Sequence, residues 1–166
     1  MPKLMTLDAS ALVKRYVVEA GSGTMNRLFD SVDARRMSCL MLGAAEVASV
    51  LVRKRNAGQI SSKAFSAAQD ALLREVILAT EFATLPASNE DVLAALAFLD
   101  QHSLNATDAV LLRITLDIQD GAVAEDRLVV VAADGRLLRA ARAEGLDAID
   151  PEGITPEELD AFLASQ

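Results

Sequence analysis

The chain has 166 residues, about the length of one domain, and 52% of them are apolar, which excludes a disordered or low-complexity protein. Its net charge is −8, but seven of its 24 acidic residues lie between Ala143 and Gln166, a stretch without lysine or arginine. The preceding residues therefore carry 17 acids against all 16 basic residues and are close to neutral. Because most of the chain is nearly neutral, a polyanionic substrate is not excluded.

The predicted elements alternate between short strands and amphipathic helices. Strands are predicted at residues 3–7, 36–39, 81–85, 128–133 and 147–149. The fourth is an uninterrupted apolar run, typical of a strand buried on both faces. Helices are predicted where apolar residues recur every three or four positions, at about 9–18, 25–33, 40–56, 61–79, 89–101, 106–118, 136–144 and 156–163. The pattern predicts an α/β three-layer sandwich, with a mostly parallel central sheet of about five short strands and helices on both faces.

The cysteine and histidine content limits the chemistry. One cysteine, Cys39, and one histidine, His102, are too few for an internal disulfide or a Cys/His zinc site, so any metal must be bound by oxygen atoms. Cys39 lies in an apolar run and is expected in the core rather than as a nucleophile. No apolar stretch approaches the roughly 20 residues of a membrane-spanning helix, and no secretory signal is visible. We therefore expect a soluble cytoplasmic protein without membrane contact.

Four acidic residues lie where a parallel sheet binds its ligands, beyond the carboxyl ends of strands. Asp8 follows the first strand and Asp134 the fourth, Asp108 lies in the first turn of the helix after Asn105, and Glu46 lies within the third helix. Each has an ordinary explanation: an N-cap for Asp8 and Asp134, a capping-box acid for Asp108, and a solvated surface residue for Glu46. If the fold brings them together, they form an oxygen-only site that suits Mg²⁺ or Mn²⁺.

The segments around these acids resemble the acidic motifs of PIN-domain nucleases, and most closely those of the VapC-type toxins of toxin–antitoxin systems. They are LDASALVKRY at 7–16, AEV at 45–47, LNATDAVLL at 104–112 and VVAADGRLL at 130–138. The resemblance implies a PIN-like nuclease domain at residues 1–150, followed by an acidic C-terminal tail with a short helix at 151–166. The fourth motif departs from the family pattern, because Ala132 stands where these proteins often carry a Thr or Ser hydroxyl that would help orient Asp134.

The function that this resemblance implies is a metal-dependent endoribonuclease that hydrolyses RNA phosphodiester bonds. The catalytic and metal-binding residues would be Asp8, Glu46, Asp108 and Asp134, with Mg²⁺ or Mn²⁺ as cofactor. Four further residues that start near the same edge are predicted substrate contacts: Ser10, Lys14, Arg15 and Arg113. The chain has one Tyr and no Trp for base stacking, so a structured RNA fits better than a long single strand.

The resemblance also implies partners: a cognate antitoxin protein and a second copy of the chain in a homodimer. The helical hairpin of residues 40–79 carries more apolar residues than one sheet face needs, and it is the predicted interface. Two other functions stay open. Ala132 is compatible with a catalytically inactive PIN-like module for RNA binding or assembly. A haloacid-dehalogenase-like enzyme with Asp8 as nucleophile would want a second Asp two residues later, where Ser10 stands.

Overall fold

A computed structural model describes residues 3–122 and 126–165, and within them the strands form one parallel sheet in the order β3-β2-β1-β4-β5. The strands are β1 (Lys3–Leu7), β2 (Met37–Leu40), β3 (Ala83–Leu85), β4 (Arg127–Val131) and β5 (Asp147–Ile149). β1 lies at the centre, with Met5 opposite Met37 on one side and Leu7 opposite Val131 on the other. β2 and β3 are added on one side of β1, and β4 and β5 on the other, so the winding direction of the sheet reverses between β1 and β4.

The helices of the described residues follow the predicted order. They are α1 (Ala9–Leu12), α2 (Ser22–Ser31), α3 (Met41–Asn56), α4 (Ser62–Leu72), α5 (Asn89–His102), α6 (Ala106–Gly121), α7 (Gly135–Ala143) and α8 (Pro156–Ala164). Short 3₁₀ segments occur at Val13–Arg15 and Ala34–Arg36, and a π-helical turn at Leu73–Ile77 extends α4. None of these helices is long and apolar enough to cross a membrane.

Alternate residues of the central strands point to opposite faces and fill two separate apolar clusters. On one face, Met5 and Leu7 of β1 pack with buried residues of α1 to α4 and of α8. On the other face, Leu128 and Val130 of β4 pack with buried residues of α5 to α7. The predicted sandwich of a parallel sheet between two helical layers is thereby confirmed.

The first helix is shorter than predicted. α1 ends at Leu12, and the chain tightens into a 3₁₀ turn in which the Tyr16 N–H donates to the Val13 carbonyl. α2 then begins at Ser22, earlier than the apolar spacing indicated, because Gly21 reverses the chain with φ of +83°. A Cβ at Gly21 would come 3.0 Å from the backbone of Pro151, so glycine is required there for space as well as for conformation.

The predicted C-terminal tail packs against the rest of the chain. Leu159 of α8 is buried in the first cluster, and the Thr24 hydroxyl donates to the Ile154 carbonyl at 2.9 Å. The Arg27 guanidinium makes hydrogen bonds of 2.8 Å from Nε and Nη2 to the two carboxylate oxygens of Asp160. These contacts fix α8 beside α2.

Candidate active site

The loops after the two adjacent central strands place Asp8 and Asp134 at the same edge of the sheet. Asp8 extends the pairing of β1 with β4 by donating its N–H to the Val131 carbonyl at 2.9 Å, and its carboxylate accepts the Ser10 N–H at 2.9 Å. Asp134 caps α7 by accepting the Arg136 N–H at 2.7 Å and a second N–H from the next residue. Both acids are therefore N-caps, as their position in the sequence suggested.

The Ser10 side chain links the two loops. Its hydroxyl donates to the Asp8 carboxylate and accepts the Ala133 N–H at 2.9 Å. Ala132, where the family pattern often has a hydroxyl, is fully buried in the second apolar cluster. The loop before Asp134 is thus tied to β1 through Ser10.

Asp108 and Glu46 reach the same place from α6 and α3. The Asp108 N–H donates to the Asn105 side-chain oxygen, and the Asn105 amide donates back to the Asp108 carboxylate, both at 2.9 Å. Asp108 is only 5% exposed. Glu46 accepts a hydrogen bond of 2.9 Å from the Thr107 hydroxyl, which joins α3 to the first turn of α6.

The four predicted acids line one open cavity of about 350 Å³. Its other polar lining residues are Ser10, Ser49, Arg53 and Asn105. Residues that are as far apart in sequence as Asp8 and Asp134 thus share one solvent-accessible volume.

Two of the carboxyl groups in this cavity, those of Asp108 and Asp134, have opposite pKa shifts. Burial, followed by the negative charges of Asp8, Asp134 and Glu46, raises the pKa of Asp108 to about 7, and the hydrogen bond from Asn105 offsets this only in part. Burial also disfavours ionised Asp134, but its hydrogen bonds from α7 outweigh this effect and hold the pKa of Asp134 below its usual value. Opposite shifts within one cleft are a feature of catalytic carboxylate sites.

The donor set fits a divalent cation of the Mg²⁺ type. Within residues 3–122 and 126–165, no group of three His, Cys, Asp or Glu side chains is arranged to hold a metal ion. Mg²⁺ usually keeps several waters and needs only one or two protein carboxylates. The cavity supplies carboxylates, hydroxyls and an amide, which suit Mg²⁺ or Mn²⁺, and its carboxylates repel one another without a cation.

Of the predicted substrate contacts, only Ser10 lines the cavity. Lys14 is buried, with its ammonium 3.1 Å from Glu19 and 2.5 Å from Glu152. Arg15 pairs with Glu75 at 3.1 Å. Lys14 and Arg15 therefore form ion pairs with glutamates that do not line the cavity.

Arg113 likewise does not line the cavity. It pairs with Asp117 one turn later on α6.

Asn105 was not among the predicted site residues, and neither were two polar lining residues of α3, Ser49 and Arg53. They lie three and seven positions after Glu46, so all three share one face of α3. The spacing is visible in the sequence, but a polar stripe on a helix is more often a solvated surface. Here the same face of α3 brings Glu46, Ser49 and Arg53 to the cavity.

Comparison with known proteins identifies the fold. No protein-family model matches the sequence, and no curated protein is similar to it in sequence. Among solved structures, the chain is similar to PAE2754 from Pyrobaculum aerophilum, with 21% identity, full coverage of both chains and a TM-score of 0.63. It is also similar to VapC20 of Mycobacterium tuberculosis, a toxin that cleaves the sarcin–ricin loop, with 18% identity, 86% of this chain and 95% of that one covered, and a TM-score of 0.61.

A third similar structure is FitAcB from Neisseria gonorrhoeae, with 13% identity, 91% of this chain and all of that chain covered, and a TM-score of 0.63. Identities this low establish common architecture rather than common activity. The chain has the PIN-like fold, a three-layer α/β sandwich, that it shares with VapC20, FitAcB and PAE2754.

Proposed function

We propose that this protein is a metal-dependent endoribonuclease that hydrolyses RNA phosphodiester bonds, and that it is the toxin of a VapBC-type toxin–antitoxin pair. The observation that carries the proposal is the meeting of Asp8, Glu46, Asp108 and Asp134 in one cavity at the carboxyl edge of the sheet. The fold supports it, since VapC20 is an RNA-cleaving toxin with the same fold.

The four acids would hold Mg²⁺ or Mn²⁺, directly or through water. When bound, such an ion neutralises charge on the phosphate and lowers the pKa of a coordinated water. The chain fixes its carboxylates beforehand: N–H groups of α1 and α7 orient Asp8 and Asp134. Asn105 orients Asp108 in the same way. The raised pKa of Asp108 means that its ionised form lacks a compensating positive charge, which a divalent cation would supply.

The test is RNA cleavage by the purified protein with Mg²⁺, with Mn²⁺ and with EDTA. A synthetic sarcin–ricin loop and an unstructured RNA of the same length are suitable substrates. Asp108→Asn should abolish cleavage. Asp91→Asn is a matched control, because Asp91 occupies the same third position of the preceding helix, α5, but does not line the cavity. Cleavage that persists in EDTA or in Asp108→Asn would contradict the proposal.

The proposed partners are a cognate antitoxin and a second copy of the chain, in the cytoplasm where the RNA substrate is found. Exposed apolar residues support a protein interface: Met41 and Leu42 begin α3, and Val92, Leu93 and Leu96 lie on α5. We expect a dimer in sedimentation experiments and a monomer when Met41 and Leu42, which belong to the predicted hairpin interface, are both changed to Glu. A wild-type monomer that binds no co-expressed small protein would contradict this part of the proposal.

The inactive PIN-like module remains the alternative. Ala132 supports it, because no hydroxyl precedes Asp134 at the usual position. RNA binding without cleavage in either metal would favour this alternative over the nuclease.

A further inference from the structure

We propose that Arg53 binds a phosphate group of the RNA substrate at the α3 side of the acidic cavity. This inference rests on the proposed nuclease function and assigns a substrate-binding residue to it. Among the described residues that line the cavity, Arg53 is the only basic one, beside four acids. A polyanion entering this cavity is repelled by the carboxylates, so the position of the single positive charge decides where a phosphate is stable.

The guanidinium of Arg53 is oriented but not neutralised. Its Nη1 donates to the Ser49 hydroxyl at 2.8 Å, one turn earlier on α3. Within the described residues, no carboxylate lies within ion-pair distance of Arg53, and the side chain is exposed. Its other N–H groups are therefore available to a phosphate, for which guanidinium is a good bidentate donor.

Neighbouring cations are used in other ways. Lys54 pairs with Glu19 at 3.0 Å, and the Arg55 guanidinium stacks 4.2 Å from the centre of the Phe65 ring. Neither lines the cavity. Of the three consecutive basic residues at the end of α3, Arg53 lines the cavity, and Lys54 and Arg55 make other contacts.

Arg136, at the start of α7, is closer to the acids in sequence than Arg53 is. It lies 3.5 Å from the Asp134 carboxylate, which reduces its availability to a phosphate, and it does not line the cavity. The geometry therefore favours Arg53.

The experiment compares wild type, Arg53→Gln, Arg53→Lys and Arg55→Gln. Arg55→Gln removes the same charge two residues away and is the matched control. Binding of fluorescent sarcin–ricin loop RNA is measured in EDTA, so that the RNA is not cut, over a range of salt concentrations. Arg53→Gln should weaken binding about tenfold, the loss expected for one hydrogen-bonded charge. It should also reduce the slope of log K against log salt by about 0.7 to 0.9, the value for one phosphate contact.

Arg53→Lys should keep the salt slope and lose part of the affinity, because a lysine keeps the charge but not the bidentate geometry. Arg55→Gln should bind as wild type does. In Mn²⁺, Arg53→Gln should raise KM for cleavage with little change in kcat, and this comparison also decides the matter if binding in EDTA is too weak to measure. A purely structural role for Arg53 would lower the melting temperature without changing the salt slope.

The experiment distinguishes failure of the phosphate site alone from failure of the proposed nuclease function. If wild type cleaves RNA but Arg53→Gln has the affinity, salt slope and KM of wild type, the phosphate site is wrong and the nuclease stands. If wild type neither binds nor cleaves RNA under any of these conditions, both proposals fail.

Discussion

Asp108→Asn should stabilise the metal-free protein at neutral pH. The variant removes a negative charge from a group that is 5% exposed and faces three other carboxylates. It keeps the local structure, because an Asn side-chain oxygen can still accept the hydrogen bond that Asn105 donates at 2.9 Å. The perturbation is therefore mainly electrostatic.

The magnitude follows from the pKa of Asp108, which rises from 3.8 in an unperturbed side chain to about 7 in the folded protein. Between these two pH values the folded state binds more protons than the unfolded state, so the free energy of unfolding falls as pH rises. A pKa difference of about three units, at 1.36 kcal/mol each, gives about 4 kcal/mol. This loss in the free energy of unfolding is absent below pH 3.8 and complete above pH 7. Asp108→Asn should avoid it and raise the melting temperature at pH 8 by about 10 °C.

The assay is urea unfolding and thermal unfolding in EDTA between pH 4 and pH 8, and the observable is the difference in stability between variant and wild type. Asp91→Asn is the control, since Asp91 also holds the third position of its helix but has a pKa lowered by the backbone and side chain of Ser88. A lowered pKa contributes stability above the unfolded value, so Asp91→Asn should be less stable than wild type at pH 8. The reasoning is refuted if Asp108→Asn shows no gain at pH 8, or if the gain does not shrink towards pH 4.

Three further predictions concern the same cavity. Asp8→Asn and Glu46→Gln should each abolish metal-dependent RNA cleavage. The double variant should lose little more activity than either single variant, because the effects of groups that act as a unit are not additive. Gel assays that show retained activity in either single variant would contradict this prediction. Mn²⁺ at about a hundred times its Kd should stabilise wild type by about 2.7 kcal/mol and Asp108→Asn by less, and equal shifts in melting temperature would argue against a shared site. Ser10→Ala should lower the free energy of unfolding by about 1 to 3 kcal/mol, because the Ala133 N–H loses its partner, and an unchanged urea midpoint would show that water replaces the hydroxyl.

Much of the fold could be predicted because its signals are local. The run Leu128–Val–Val–Val has the composition of a strand buried on both faces, and β4 is indeed buried there and paired with a strand on each side. The end of the first helix could not be predicted, because it depends on contacts between distant parts of the chain. Gly21 turns against the backbone of Pro151, and Lys14 is held by Glu152, neither of which the local pattern reveals.

All four predicted acids line the cavity, whereas Ser10 is the only predicted substrate contact that does, and the reason is related. Lys14 and Arg15 follow Asp8 closely in sequence, and proximity along a helix suggested proximity to the site. A helix presents successive residues to different sides, however, and the 3₁₀ turn at Val13–Arg15 directs both cations to acids elsewhere. Arg53 is far from Asp8 in sequence, yet it reaches the cavity because it shares one face of α3 with Glu46.

The ordinary explanations of the acids are compatible with their meeting in one cavity. Asp8 and Asp134 are genuine N-caps, and Asp108 exchanges hydrogen bonds with Asn105 as a first-turn acid does. Local sequence therefore cannot separate a cap from a catalytic carboxylate, since the same hydrogen bonds serve both. The difference between Asp108 and Asp91 is non-local: one is buried opposite other carboxylates and has a raised pKa, the other is solvated and has a lowered one. Because Asn preserves the hydrogen bond with Asn105 and removes the charge, the Asp108→Asn variant separates the two roles of Asp108 experimentally: a cap alone predicts no gain in metal-free stability, and a carboxylate buried among others predicts a gain.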